Sequence, residues 1–213
     1  MESDWSIRSQ LRVKEWATSI DLRDAYLHIP IHPHYRKFLR LHIQGHSLQF
    51  RAMCFGLNVA PRAFTKLLQP VAAHIRSKGI RFHRYLDDLL IRGDSTEEVT
   101  TDTAFVLDLL ERLGFLINYD KSDLVPQSPI VYLGMDIDFN TGLVRPSPQN
   151  LLKVSNFTSS LWDQRQASVR HLLSLLGLLN HAAQSVPLGR LHLRPLQFFV
   201  KAKAPNLKLM LDH

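Results

Sequence analysis

The 213-residue chain has one cysteine, Cys54. An intrachain disulfide and a cysteine-built zinc site are therefore excluded, and a reducing, intracellular compartment is the expectation. Long apolar runs are missing too. The richest stretch, HLLSLLGLLNHAA, is too short and interrupted to span a bilayer, no leader peptide is recognisable, and no membrane partner is expected. Internal repeats and low-complexity segments are also absent. The most informative absence is of acid: no Asp or Glu lies between Asp24 and Asp87.

That acid-free interval holds ten Lys and Arg, from Arg36 to Arg84, and seven of the eleven His. From Asp94 to Asp123 the balance reverses, with eight acids against Arg112 and Lys121. From Val144 onward the chain is basic again, with nine Lys and Arg against Asp163 and Asp212. Two readings fit so long a basic interval: a polyanion such as nucleic acid as partner, or a solvated basic surface.

The hydrophobic pattern alternates between periods. WATSID reads as a short strand ending at Asp21, and RKFLRLHI and HSLQFRAM as a hairpin joined through Gln44 and Gly45. Phe64, Leu67, Leu68, Val71 and Ile75 have helical spacing between about Pro61 and Lys78. IRFHRYL and LLIRG read as strands. Ser95 with Glu98 forms a capping box, opening a helix that stops at Gly114. FLINY and IVYLGMDID read as further strands, and Ser147-Pro148 starts a series of helices. The change of character places a boundary near Val144 to Pro146.

The stretch RYLDDLLI sets two adjacent carboxylates, Asp87 and Asp88, inside an apolar, extended pattern. Burying unpaired charge is costly and Asp is a poor strand former. The conflict disappears if RYL and LLI are the arms of a tight hairpin with the aspartates at its turn, on the rim of the sheet. Clustered carboxylates are stable when divalent cations neutralise them, and Asp21, at the end of another apolar strand, is the natural third ligand. Two oxygen-ligated cations so held clamp the attacking and leaving oxygens of a phosphoryl transfer. Taken alone, an Asp-Asp pair is also an ordinary solvent-facing turn.

The pair has company. YLDD resembles the Y-x-D-D box of reverse transcriptases, and SIDLRDAYLHIPI resembles their first palm motif. FRAMCFGLNVAPRAF is similar to the motif that opens a palm helix, LGFLINYDKS to the stretch carrying a Lys, and VYLGMDID to the primer-grip hairpin. The five occur in the family's order from Ser19 to Asp138. The tail LLSLLGLLNHAAQSVPLGRLHLRPLQ resembles the region after the palm in tyrosine-recombinase (DIRS-like) retrotransposons.

The resemblance implies an α+β fold: a palm of antiparallel sheet backed by helices over residues 1–144, and a helical thumb or connection over 145–213. It implies an RNA-directed DNA polymerase using two Mg²⁺ ions, for which Mn²⁺ can substitute, with a primed RNA or DNA template and deoxynucleoside triphosphates as partners. Asp21, Asp87 and Asp88 would be the catalytic, metal-binding carboxylates. Leu22, Arg23, Asp24 and Ala25 would face the incoming triphosphate, and Tyr26 would lie under the sugar and exclude a 2′-hydroxyl. Phe55 and Gly56 would line the nucleotide pocket, and Leu133 and Gly134 would hold the primer end. Lys121 would protonate the leaving pyrophosphate, although an ordinary ion-pairing role suits it nearly as well.

Some features depart from the family pattern. Cys54 stands where many relatives have Pro. Only about twenty residues precede Asp21, whereas relatives place a fingers region there and an RNase H domain after the thumb. The expectation is palm plus thumb, a fragment of a longer polyprotein. The alternative is an inactive retroelement remnant that binds nucleic acid without polymerising. A two-metal nuclease would share the carboxylates but has no need of Tyr26 or FGLNVAP. In HIPIHPH, Pro30 and Pro33 break any regular metal-ligand spacing, so its histidines are expected to face backbone or nucleic acid.

Overall fold

The protein is described by a computed structural model covering residues 10–164 and 167–203. Expectations for the tail beyond Lys203 lie outside the described residues. One compact unit runs to Ile130 and takes in Phe139–Thr141; the other comprises Val131–Asp138 and the chain from Gly142 onward.

The first unit is built on a four-stranded antiparallel sheet in the order β4-β5-β1-β6. Its strands are β1 (Trp16–Asp21), β4 (Arg81–Tyr85), β5 (Asp88–Gly93) and β6 (Asp123–Gln127). Period-2 alternation in β5 sends Leu89 and Ile91 into a core with Ile20 and Leu22. Helices α3 (Ala60–Ser77) and α4 (Thr96–Arg112) cover that core with Phe64, Leu68 and Ile75, and with Val106 and Leu110. Of the apolar positions read as the face of α3, Leu67 turns outward and is 41% exposed. Ser95 Oγ accepts the Glu98 N–H at 3.1 Å, the cap expected for α4. Between β1 and α3 lie α1 (Ala25–His28, a 3₁₀ turn), α2 (Pro33–Arg36) and the hairpin β2 (Arg40–Ile43) and β3 (His46–Gln49).

The sequence pattern misses β6 because Pro126 argues against a strand; as the edge strand, β6 does not need that N–H. FLINY shrinks to a single bridge, Leu22 to Ile117, because the chain leaves the sheet at Asp24, whose φ is 54°. At the far end of the sheet a buried network runs from Glu15 to Arg92 and, at 2.9 Å, to Arg81. Arg92 Nη2 meets His83 Nε2 at 2.7 Å.

The second unit holds β8 (Met135–Asp138) and β9 (Leu143–Pro146), which form a three-stranded sheet with β7 (Ile130–Tyr132). It continues through α5 (Pro148–Gln164), α6 (Val169–Ala182), α7 (Gly189–His192) and α8 (Arg194–Lys203). The compact units part at Ile130, so this small sheet groups with the helices, whereas composition places the boundary near 144. Among the described residues no helix is long and apolar enough to cross a membrane.

Candidate active site

The YLDD stretch forms the hairpin its pattern requires. Tyr85 pairs with Asp88, leaving Leu86 and Asp87 as a two-residue turn. Leu86 adopts φ 53°, a region costly for a residue with a Cβ. Asp88 opens β5 and lies opposite Asp21, the last residue of β1. The turn is tied to β1 by the Leu22 N–H, which donates to the Asp87 carbonyl at 3.0 Å.

The 118–122 segment holds the other side of Asp21. The Asn118 N–H donates to the Asp21 carbonyl at 2.9 Å, and the Asp21 N–H donates to Ser122 Oγ at 3.0 Å. Ser122 Oγ in turn donates to the Asn118 carbonyl at 2.7 Å. Lys121 sits within this turn, and its charge acts on both Asp87 and Asp88.

Electrostatics mark the carboxylates as a crowded group. Burial, with Asp87 and Asp21 adding repulsion, pushes the Asp88 carboxyl up to about 6 against the pull of Lys121. Asp87 is also raised, first by burial and then by Asp21, while its own backbone hydrogen bond and Lys121 act the other way. Burial, with the charges of Asp87 and Tyr85, raises the Tyr26 phenol. A cation placed here would offset the repulsion that helps to raise Asp87 and Asp88, and carboxylate oxygens are the donors an oxygen-seeking divalent ion takes. Among the described residues no three His, Cys, Asp or Glu side chains are gathered as a ready-made metal cage.

Beside the carboxylates, Tyr26 packs on Phe55 with ring centroids 5.0 Å apart and edge-on against Phe64 at 6.0 Å. Backbone bonds align the two segments involved: Ile31 N–H to the Arg51 carbonyl and Met53 N–H to the Ile29 carbonyl, both at 2.8 Å. Phe55 is nonetheless 62% exposed, an open aromatic face. Gly56 has φ 90°, which a side chain would strain. Leu22 is buried and its N–H is occupied; the Arg23 N–H is also taken, by the Leu116 carbonyl at 2.8 Å. What these two offer outward is the Arg23 guanidinium, close to Asp24. Ala25 and Tyr26 supply the first N–H groups of α1, where a helix leaves donors without internal partners.

Leu133 and Gly134 belong to the second unit and form a turn with φ 50° and 71°. Its carbonyls are clasped. Asn150 Nδ2 and the Ser147 N–H each donate to the Gly134 carbonyl at 2.9 Å, and His181 Nε2 lies 3.0 Å from the Leu133 carbonyl. Neither Asn150 nor His181 shows in the sequence as a support for this turn, since each sits in an ordinary helical pattern.

A family model described as reverse transcriptase (RNA-dependent DNA polymerase) matches residues 3–137. The chain is 25% identical over 197 residues to the genome polyprotein of Petunia vein clearing virus (isolate Shepherd), covering 92% of this chain and 8% of that protein. It is 26% identical over 178 residues to the Gag-Pol polyprotein of Walleye dermal sarcoma virus (83% and 10%). Against the enzymatic polyprotein of Soybean chlorotic mottle virus it is 26% identical over 196 residues (88% and 27%). The chain thus spans a small part of the relatives it matches. In fold it resembles the foamy viral protease-reverse transcriptase in complex with RNA/DNA hybrid, with a TM-score of 0.77, 20% identity and coverage of 94% and 26%. The corresponding dRH structure with double-stranded DNA gives 0.74, 21%, 95% and 33%.

Proposed function

This chain belongs to the reverse transcriptase (RNA-dependent DNA polymerase) family, and we propose that it is the palm and thumb of a retroelement polymerase that extends a primer with deoxynucleotides. The observation that supports this most is the pairing of Asp21 with Asp88, next to Asp87 in its turn and Tyr26 on Phe55. The tail's likeness to DIRS-like elements supports that group as its source. The template is a primed RNA or DNA strand, attracted by the basic interval between Asp24 and Asp87. The remaining fingers and RNase H functions are assigned to other parts of a longer polyprotein.

Asp21, Asp87 and Asp88 would hold two Mg²⁺ ions, or Mn²⁺ in their place. Bound there, such ions supply Lewis-acid stabilisation of the attacking and leaving oxygens. The residues of the chain do the rest. The paired ends of β1 and β5 fix the carboxylates relative to each other, so little reorganisation accompanies the reaction. The Tyr26 ring, wedged between Phe55 and Phe64, forms the floor beneath the sugar and leaves no room for a 2′-hydroxyl. The Ala25 side chain is buried in the core, so what the Asp24–Ala25 stretch offers the triphosphate is its backbone. The primer 3′-hydroxyl gives up its proton to solvent as its oxygen bonds to the α-phosphorus and the bond from the α-phosphorus to the β-phosphate oxygen breaks. Lys121 gives a proton to the departing pyrophosphate, and Leu133 and Gly134 hold the primer end.

Joined to an upstream fingers segment from a relative, the chain is expected to extend a primed template with dNTPs and to stall on a primer ending in a dideoxynucleotide. Cleavage of the nucleic acid without extension would point to a nuclease instead. Binding with neither reaction would favour an inactive remnant.

A further inference from the structure

A histidine behind the Tyr26 turn makes two backbone contacts that together fix its chemical form. His28 Nε2 receives the Leu116 N–H at 3.0 Å, and its Nδ1 lies 3.1 Å from the Ala25 carbonyl. A backbone N–H can only donate and a carbonyl can only accept. The ring must therefore be neutral, with its proton on Nδ1 and a lone pair on Nε2. Its face rests on Phe115 at 5.3 Å between centroids.

The position explains why an acceptor is needed. Leu22 bridges Ile117, the Arg23 N–H donates to the Leu116 carbonyl, and the Asn118 N–H donates to the Asp21 carbonyl. In a continuing antiparallel ladder the Arg23 carbonyl would take the Leu116 N–H in return. The chain instead swings into the left-handed region at Asp24 and enters α1. The His28 ring takes the Leu116 N–H instead. One side chain thus joins the first residue of α1, Ala25, to the segment that also holds Asp21, with Tyr26 between its anchor points.

We propose that His28, as its Nδ1–H tautomer, is a positioning residue that locks the Tyr26 turn onto the 115–118 segment and thereby sharpens discrimination between deoxyribose and ribose. The clamp stands on the contacts alone; its effect on sugar choice rests on the polymerase reading above.

The test uses the whole chain with ¹⁵N-labelled histidine. Long-range ring correlations at neutral pH are expected to show His28 protonated at Nδ1 alone. The Leu116 amide should exchange slowly, faster by about fivefold or more in His28→Ala and His28→Leu, and slowly again in His28→Gln, whose amide oxygen restores an acceptor. With primer–template and Mg²⁺ present, the ratio of dNTP to rNTP affinity should fall several-fold in the Ala and Leu variants and recover in Gln. An Nε2–H or doubly protonated ring, or wild-type exchange in His28→Leu, would overturn the clamp. A wild-type sugar ratio in His28→Leu, where Tyr26→Val shifts it, would overturn the positioning role. If Tyr26→Val also leaves the ratio unchanged, the assignment of Tyr26 to the sugar site fails and the positioning role with it, and the tautomer and the exchange rates still decide the clamp.

Discussion

Asp21 and Asp88 face each other as paired residues at the ends of adjacent antiparallel strands, and Asp87 lies in the turn directly before Asp88. Like charges opposed across a strand pair are destabilising, so the fold gives up stability to assemble them. The consequence is measurable without substrate. Burial and its neighbours raise the Asp88 carboxyl to about 6, above its value in an unfolded chain, so between about pH 4 and 6 the folded state binds more protons than the unfolded one. Stability contributed by protonated Asp88 is present at low pH and lost as pH rises through 6. In metal-free buffer Asp88→Asn should raise stability at pH 7 by about 1 kcal/mol, a figure discounted for solvent screening, and should have little effect at pH 4. Equal effects at both pH values in urea titrations would contradict this.

Mg²⁺ should reverse the same penalty. An ion that binds the folded carboxylates and not the unfolded chain stabilises by mass action, by about 2.7 kcal/mol at a hundredfold excess over Kd. The melting temperature of the wild-type chain is expected to rise with millimolar Mg²⁺. The double variant Asp87→Asn, Asp88→Asn should melt at one temperature with or without the ion.

The sugar floor predicts a change of substrate more than a loss of rate. With a fingers segment supplied, Tyr26→Val leaves all three carboxylates in place and removes the ring that packs on Phe55 and Phe64. Competition between rNTP and dNTP in primer extension should shift toward rNTP by on the order of tenfold or more, with part of the dNTP activity retained. An unchanged ratio would remove Tyr26 from the sugar site.

The turn at Leu133 and Gly134 has a packing test. A Cβ on Gly134 would lie 2.3 Å from Asn150 Nδ2, at a φ of 71° that already disfavours a side chain. Gly134→Ala should therefore cost about 1 to 3 kcal/mol through strain and displacement of Asn150. Asn150→Ala relieves the clash but loses the hydrogen bond to the Gly134 carbonyl. The double variant should thus cost less than the sum of the two single changes, as read by thermal melting.

Particular residues show what the sequence could and could not reveal. The Asp87 turn is legible because two charges inside an apolar strand pattern have few solutions other than a hairpin tip. Strand β1, the capping box at Ser95 and the hairpin at Gln44 and Gly45 are legible for equally local reasons. β6 is hidden because Pro126 is harmful only if the strand is central, and edge position is a tertiary property. The FLINY strand is over-read because its apolar pattern cannot show that its partner turns away at Asp24. His28, Asn150 and His181 act through backbone groups distant in sequence, so no spacing announces them. The network of Glu15, Arg81 and Arg92 is hidden for the same reason: burial of an arginine depends on a carboxylate supplied from 77 positions away.

The most direct test of the account is single-nucleotide incorporation on a primed template, by the chain joined to an upstream fingers segment, with wild-type and Asp88→Asn proteins compared with and without Mg²⁺. The account predicts that wild-type incorporation requires the ion and that Asp88→Asn lowers it by at least about a hundredfold while primer–template binding is preserved. Incorporation that proceeds equally in Asp88→Asn, or without any divalent cation, would contradict it.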